Sequence, residues 1–141
     1  KRCMDGWGSQ FFAVTPRGHV LPCHAAESIT GMSFSSVRKR RLDWIWQHDN
    51  AFNRFRGVDW MPEPCRGCTY RYRDLGGCRC QAFALTGDAA ATDPVCEFSP
   101  HHEMLVALAA DNASLSAPRY RYRRYERKTV SEPIIASSQA R

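Results

Sequence analysis

Residues 65–80, CRGCTYRYRDLGGCRC, put four cysteines and one aspartate into a stretch with little means of folding by itself. Pro62, Pro64, Gly67, Gly76 and Gly77 interrupt any sustained helical or strand period between 62 and 77. The shape of this loop must therefore come largely from whatever its thiols bind. Three further cysteines lie outside it, and the spacing runs Cys3-x19-Cys23, a gap of 41 residues, then Cys65-x2-Cys68-x9-Cys78-x1-Cys80-x15-Cys96. Seven is an odd number, which excludes complete internal disulfide pairing. We read the thiols as reduced and metal-directed, as in a cytoplasmic protein.

Cys-x2-Cys lets one tight turn offer two sulfurs to one soft or borderline metal site. Two zinc ions would take eight ligands, and so would two iron–sulfur clusters at four each. Seven sulfurs leave one position unfilled, and Asp74, midway between Cys68 and Cys78, is the candidate for it. Its carboxylate is a harder donor than a thiolate, yet still an iron ligand. Two other readings stand beside this one. The cysteines suit a zinc-stabilised binding module for protein or nucleic acid, and Asp74 suits a turn, accepting a backbone N–H. A redox dithiol at Cys65 and Cys68 lacks the strand–helix setting of a thioredoxin.

The rest of the chain reads as a small α+β domain. QFFAVTPRGHVLPC is a β-hairpin pattern, with Pro16 and Gly18 at the second and fourth places of a type I turn. SSVRKRRLDWIWQHDNAFNRFRG reads as helical, with Leu42, Ile45 and Trp46 on one face and Gly57 as the stop. CQAFALT predicts a short apolar helix before a Gly-Asp turn. SPHHEMLVALAADN predicts another, with Ser99 as cap and Pro100 in the first position. Trp44, Trp46, Phe52 and Phe55 are assigned to the core, Trp44 being the most exposed. His24, His101 and His102 are not assigned as ligands.

Charge divides the chain in two. Residues 1–111 carry thirteen Lys and Arg against twelve Asp and Glu, whereas residues 112–141 carry seven against two. The body is nearly neutral, which argues against nucleic acid as its partner, and 112–141 is expected to be a basic, disordered tail. Arg66, Arg71, Arg73 and Arg79 flank the cysteines, either as solvated charge or as counter-charge to thiolate-bound metal. No apolar run approaches the ~20 residues of a membrane span. The opening KRCMDGWG reads as the start of a piece from a longer protein.

The cysteine pattern resembles the SPASM domain of radical S-adenosylmethionine (SAM) enzymes, in which seven cysteines hold two auxiliary iron–sulfur clusters. Cys3, fourteen residues, Gly18, four residues and Cys23 fit its first part; Cys65, Cys68, Cys78 and Cys96 fit the rest. Asp74 stands where the general pattern has a cysteine, and Cys80 is additional. With LPCHAAES, DWMPEPCRGC, GGCRCQA and TGDAAATDP, that departure is similar to the PqqE family of pyrroloquinoline quinone biosynthesis. The resemblance implies a SPASM domain over 1–111. It implies an outer [4Fe–4S] cluster on Cys65, Cys68, Asp74 and Cys96, and an inner [2Fe–2S] or [4Fe–4S] cluster on Cys3, Cys23, Cys78 and Cys80. The implied partners are an N-terminal SAM-cleaving barrel with its own [4Fe–4S] cluster, a precursor peptide, a small PqqD-like chaperone and an external electron donor. The implied reaction is an oxidoreductase step joining Glu and Tyr side chains of the peptide by a carbon–carbon bond. The Cys-x3-Cys-x2-Cys motif of the SAM-cleaving cluster is absent from the 141 residues, so this fragment alone is expected to be inactive.

Overall fold

The computed structural model describes Cys3 and residues 5–116. The stretch expected to be a basic tail lies outside the described residues from 117 onward. Among the described residues, two strands, five α-helices, most of them short, and a 3-10 turn at Ala26–Ser28 make a small α+β fold.

The hairpin forms as its sequence predicts, though its ladder is short. β1 (Ala13–Val14) pairs antiparallel with β2 (Val20–Leu21), Ala13 opposite Leu21 and Val14 opposite Val20. Gly18 N–H donates to Thr15 C=O at 2.8 Å, closing the turn with Pro16 and Gly18 in the expected places. The free edge of β2 is covered by residues read from sequence as helix. Val20 N–H donates to Ser35 C=O at 2.9 Å, Val37 N–H donates to Gly18 C=O at 3.0 Å, and His19 bridges to Ser36.

The helix expected over 35–57 is therefore two shorter ones, α1 (Leu42–His48) and α2 (Asn50–Asn53). The break has a cause in Asp49. Its backbone is extended (φ −67°, ψ 129°), and its carboxylate accepts the Ala51 N–H at 2.7 Å as the N-cap of α2. Its other oxygen accepts the Ser35 N–H at 3.1 Å, so one buried carboxylate ties the edge segment to the helix pair.

α3 (Arg71–Asp74) is a single turn inside the loop expected to be irregular throughout, ended by Leu75 in the left-handed region (φ 54°). α4 (Arg79–Thr86) stops at Gly87, also left-handed, as the Gly-Asp signal suggests. α5 (His102–Ala113) begins two residues later than its sequence signal and runs two residues past the boundary expected at 111. Ser99 holds the preceding turn instead. Its Oγ accepts the His101 N–H at 3.2 Å and its carbonyl accepts the His102 N–H at 3.0 Å.

Two apolar clusters form the core. Val20, Ile45 and Phe52 pack beneath Trp46. Trp7, Leu21, Ala26, Ile29, Phe55 and Ala89 form the other, and Cys23 and Cys80 belong to it. The aromatic assignments hold, since Phe52 and Phe55 are buried and Trp44 is 40% exposed. Trp7 and Phe55 meet edge to face at 5.4 Å, as do Phe55 and Trp60 at 5.0 Å, and this row leads directly to the thiols. Among the described residues no helix is long and apolar enough to cross a membrane.

Candidate metal centre

The eight residues singled out by spacing sort into two groups in space. Cys3, Cys23, Cys78 and Cys80 line one small cavity together with Trp7, Pro22, Gly77 and Arg79. Cys65, Cys68, Asp74 and Cys96 line a second, of about 510 Å³, with Thr92 and Phe98. A third hollow, about 750 Å³, runs past both and touches Cys3 and Cys78 on one side and Cys65, Asp74 and Cys96 on the other.

The inner group is built on the core. β2 delivers Cys23 at the hairpin exit, the first turn of α4 carries Cys80, and Cys78 precedes that helix as its N-cap residue. Cys23 and Cys80 are buried, with their sulfurs 3.9 Å apart. Two thiolates sharing one tetrahedral metal at the usual bond length of about 2.3 Å lie about 3.8 Å apart, so this pair already has that spacing. Cys80 Sγ is within S–H···S reach of Cys23 Sγ. Hydrogen bonding among the thiols, together with burial, pushes the pKa of Cys3 and Cys80 up, while hydrogen bonding pulls that of Cys78 and Cys23 down. The space between them is about 10 Å³, room for about one water molecule.

The outer group comes from the loop. Cys68 Sγ accepts the Tyr70 N–H at 3.4 Å, the kind of hydrogen bond that tunes a metal-bound sulfur. Asp74 does act as a turn former, because its Oδ1 accepts the Gly76 N–H at 3.0 Å. That uses one oxygen, and the carboxylate still lines the cavity beside the three cysteines. Burial pushes the Cys65 thiol up, opposed by a hydrogen bond with Thr92; the charges of Asp74 and Cys96 push it further up and that of Arg79 pulls it down. These groups are therefore close enough to feel one another.

Among the described residues no three His, Cys, Asp or Glu side chains converge so as to hold a single metal ion. The eight residues instead line the walls of two cavities. Of the histidines, His24 is exposed, His101 is half-buried, and His102 faces the large hollow while its Nδ1 contacts Pro94 O at 2.9 Å.

Asp93 escaped the sequence reading. It is buried, and its Oδ2 accepts the Cys78 N–H at 2.7 Å while Oδ1 accepts the Val95 N–H at 3.1 Å. It thereby clasps the inner cysteine turn to the segment leading to Cys96 of the outer group. The Asp-Pro dipeptide, a turn signal, was its only trace in the sequence. The clasp is close: a Cβ on Gly77 (φ +74°) would lie 2.3 Å from Asp93 Oδ2, so only glycine fits there.

The chain is similar to known proteins. Residues 3–69 match SPASM, an iron–sulfur cluster-binding domain, a stretch that includes Cys3, Cys23, Cys65 and Cys68. The chain is 56% identical over 131 residues to a PqqA peptide cyclase of Bradyrhizobium diazoefficiens, covering 92% of the chain and 34% of that relative. A PqqA peptide cyclase of Xanthomonas axonopodis pv. citri is 57% identical over 127 residues, 90% of the chain and 34% of the relative. One from Rhodopseudomonas palustris is 53% identical over 131 residues, 92% and 35% respectively. The chain thus spans about a third of the length of these relatives. The chain is thus similar to the SPASM iron–sulfur cluster-binding domain over residues 3–69, and to PqqA peptide cyclases over nine-tenths of its own length.

Proposed function

We propose that this chain is the auxiliary-cluster portion of a radical SAM peptide cyclase of pyrroloquinoline quinone biosynthesis. The observation that carries the reading is the sorting of eight donors into two cavities, each lined by one complete set of four. In this reading Cys65, Cys68, Asp74 and Cys96 hold the outer [4Fe–4S] cluster, and Cys3, Cys23, Cys78 and Cys80 hold the inner one, [2Fe–2S] or [4Fe–4S]. Clusters so bound supply one-electron transfer at potentials set by ligand type, charge, hydrogen bonding and exposure.

What the chain's own residues do follows from their surroundings. Cys23 and Cys80 sit in the apolar core, where water is excluded from their sulfurs. Asp93 fixes the Cys78 turn, and Tyr70 N–H holds the Cys68 sulfur. Asp74 contributes one hard ligand among soft ones, more readily exchanged than a thiolate.

The substrate and partners follow from the likeness to PqqA peptide cyclases. The remaining two-thirds of such a protein would contain the SAM-cleaving barrel and its [4Fe–4S] cluster. The substrate would be a PqqA-type precursor peptide, delivered by a PqqD-like chaperone, and an external donor would supply electrons. The product would be a carbon–carbon bond between Glu and Tyr side chains.

Two measurements test this. Oxygen-free purification is expected to give brown protein with iron and acid-labile sulfide; well-folded, colourless protein with zinc and no iron sinks the reading. The full-length enzyme, given reductant, SAM, chaperone and peptide, is expected to release peptide lighter by a pair of hydrogen atoms. An unaltered mass redirects the assignment to another peptide-modifying SPASM enzyme.

A further inference from the structure

Four arginines flank the thiols, and only one is buried. Arg66 and Arg73 are exposed, and Arg71 is half-buried with Nη1 donating to Arg66 C=O at 2.6 Å. Arg79, between Cys78 and Cys80, is 2% exposed. Its Nη1 donates to Ala89 C=O at 2.9 Å and Ala91 C=O at 2.8 Å, and its Nη2 donates to Gly76 C=O. The guanidinium lies on the Trp60 ring, 4.6 Å from its centroid, and Nε has no partner among protein atoms.

Carbonyls and an aromatic face are weak return for burying a full charge, which demands an opposite charge nearby. Burial lowers the Arg79 pKa; Asp93, Cys65, Cys78 and Cys3 act against it. Those thiols come from both groups, Cys65 from the outer and Cys3 and Cys78 from the inner. Arg79 lines the inner cavity with Cys3, Cys23, Cys78 and Cys80, and its bonds to the carbonyls of Gly76 and Ala91 hold the guanidinium against Gly76 of the large hollow and the residue before Thr92 of the outer cavity.

We propose that Arg79 is a positioning residue shared by both centres, raising the reduction potential of the cluster on each side. This rests on reading the two cavities as iron–sulfur sites. The sign follows from electrostatics. Reduction makes a cluster more negative, and a nearby buried cation stabilises that state. The open Nε–H is a further donor for the added charge.

The test uses full-length, cluster-loaded protein and potentiometric titration followed by electron paramagnetic resonance. In Arg79→Gln, at any fixed potential, the oxidised-to-reduced ratio of both centres should rise about tenfold or more, which is 59 mV for a one-electron couple. Arg79→Lys should restore most of the shift. If Arg79→Gln alone sheds iron, the comparison passes to Asp93→Asn against the double variant R79Q/D93N, which leaves no unpaired buried carboxylate. The same downward shift is expected between those two. Equal potentials with and without the arginine, or a shift in one centre only, overturn the proposal even when iron and sulfide are present. A parent protein without iron and sulfide overturns the cluster reading itself.

Discussion

Replacing Gly77 with alanine tests whether the Asp93 clasp holds the two cavities in register. The new methyl group would lie 2.3 Å from Asp93 Oδ2, 2.7 Å from its Cβ and 2.9 Å from its Cγ, so the carboxylate has to leave. Alanine in the left-handed region costs about 1–2 kcal/mol. Each hydrogen bond lost to a charged acceptor adds about 1.5–3 kcal/mol, and Asp93 makes two, to Cys78 and Val95. If only the Cys78 bond breaks the total is about 2.5–5 kcal/mol, a large share of the ~5–15 kcal/mol that holds an ordinary domain together. Gly87 supplies the control. It has nearly the same φ (+78°) with nothing within 4 Å of a built Cβ, so Gly87→Ala bears the backbone cost of about 1–2 kcal/mol alone. Anaerobic urea unfolding of cluster-loaded protein, followed by tryptophan fluorescence, compares the two, with iron per chain measured alongside. The expected result is a Gly77→Ala loss at least ~1.5 kcal/mol beyond that of Gly87→Ala, together with depleted iron. Losses equal within about 0.5 kcal/mol, the usual scatter of such comparisons, would show that Asp93 clasps nothing of consequence.

Three further outcomes are expected. Asp74→Cys should keep the outer cluster while altering its paramagnetic resonance signal or potential; an unchanged spectrum counts against Asp74 as a ligand. Cys80→Ser should deplete the inner cluster and leave the outer one, and Cys68→Ser the reverse, as read by iron content and resonance spectra; loss of the same centre in both refutes the division of ligands. Asp49→Ala removes the cap of α2 and the bond from Ser35, at a cost of about 2–5 kcal/mol in the unfolding assay. A loss under ~1 kcal/mol would mean that the edge segment is held by its backbone bonds to β2 alone.

The hairpin was legible because its turn chemistry is local. Thr15, Pro16, Arg17 and Gly18 carry the instruction within four residues, and no distant group overrides it. The helix expected over 35–57 was over-extended for the opposite reason. Nothing near Ser35 in sequence announces that its backbone will bond to β2, or that Asp49, fourteen residues on, will accept its N–H. α5 shows a smaller form of the same effect, since a Ser-Pro start signal was satisfied by a separate turn before the helix began.

The donors and their supports differ in legibility for a physical reason. A thiolate set announces itself because few residue types bind such metals and their spacing reflects tight turns. A supporting residue has no special chemistry. Asp93 and Arg79 are common residues, made unusual only by burial against Cys78 and beside the inner thiols. Their effect depends on distance, and distance here is fixed by the loop that serves both cavities. Residues 74–80 bring Asp74 to one cavity and Cys78 and Cys80 to the other, with the Gly76–Gly77 turn between them. A shift that opens one cavity therefore pulls on the other. The two centres should load and deplete together when the turn is strained at Gly77, yet separately when a single thiol is removed. That contrast distinguishes a shared scaffold from two independent sites, and it depends on a turn that contains no ligand at all.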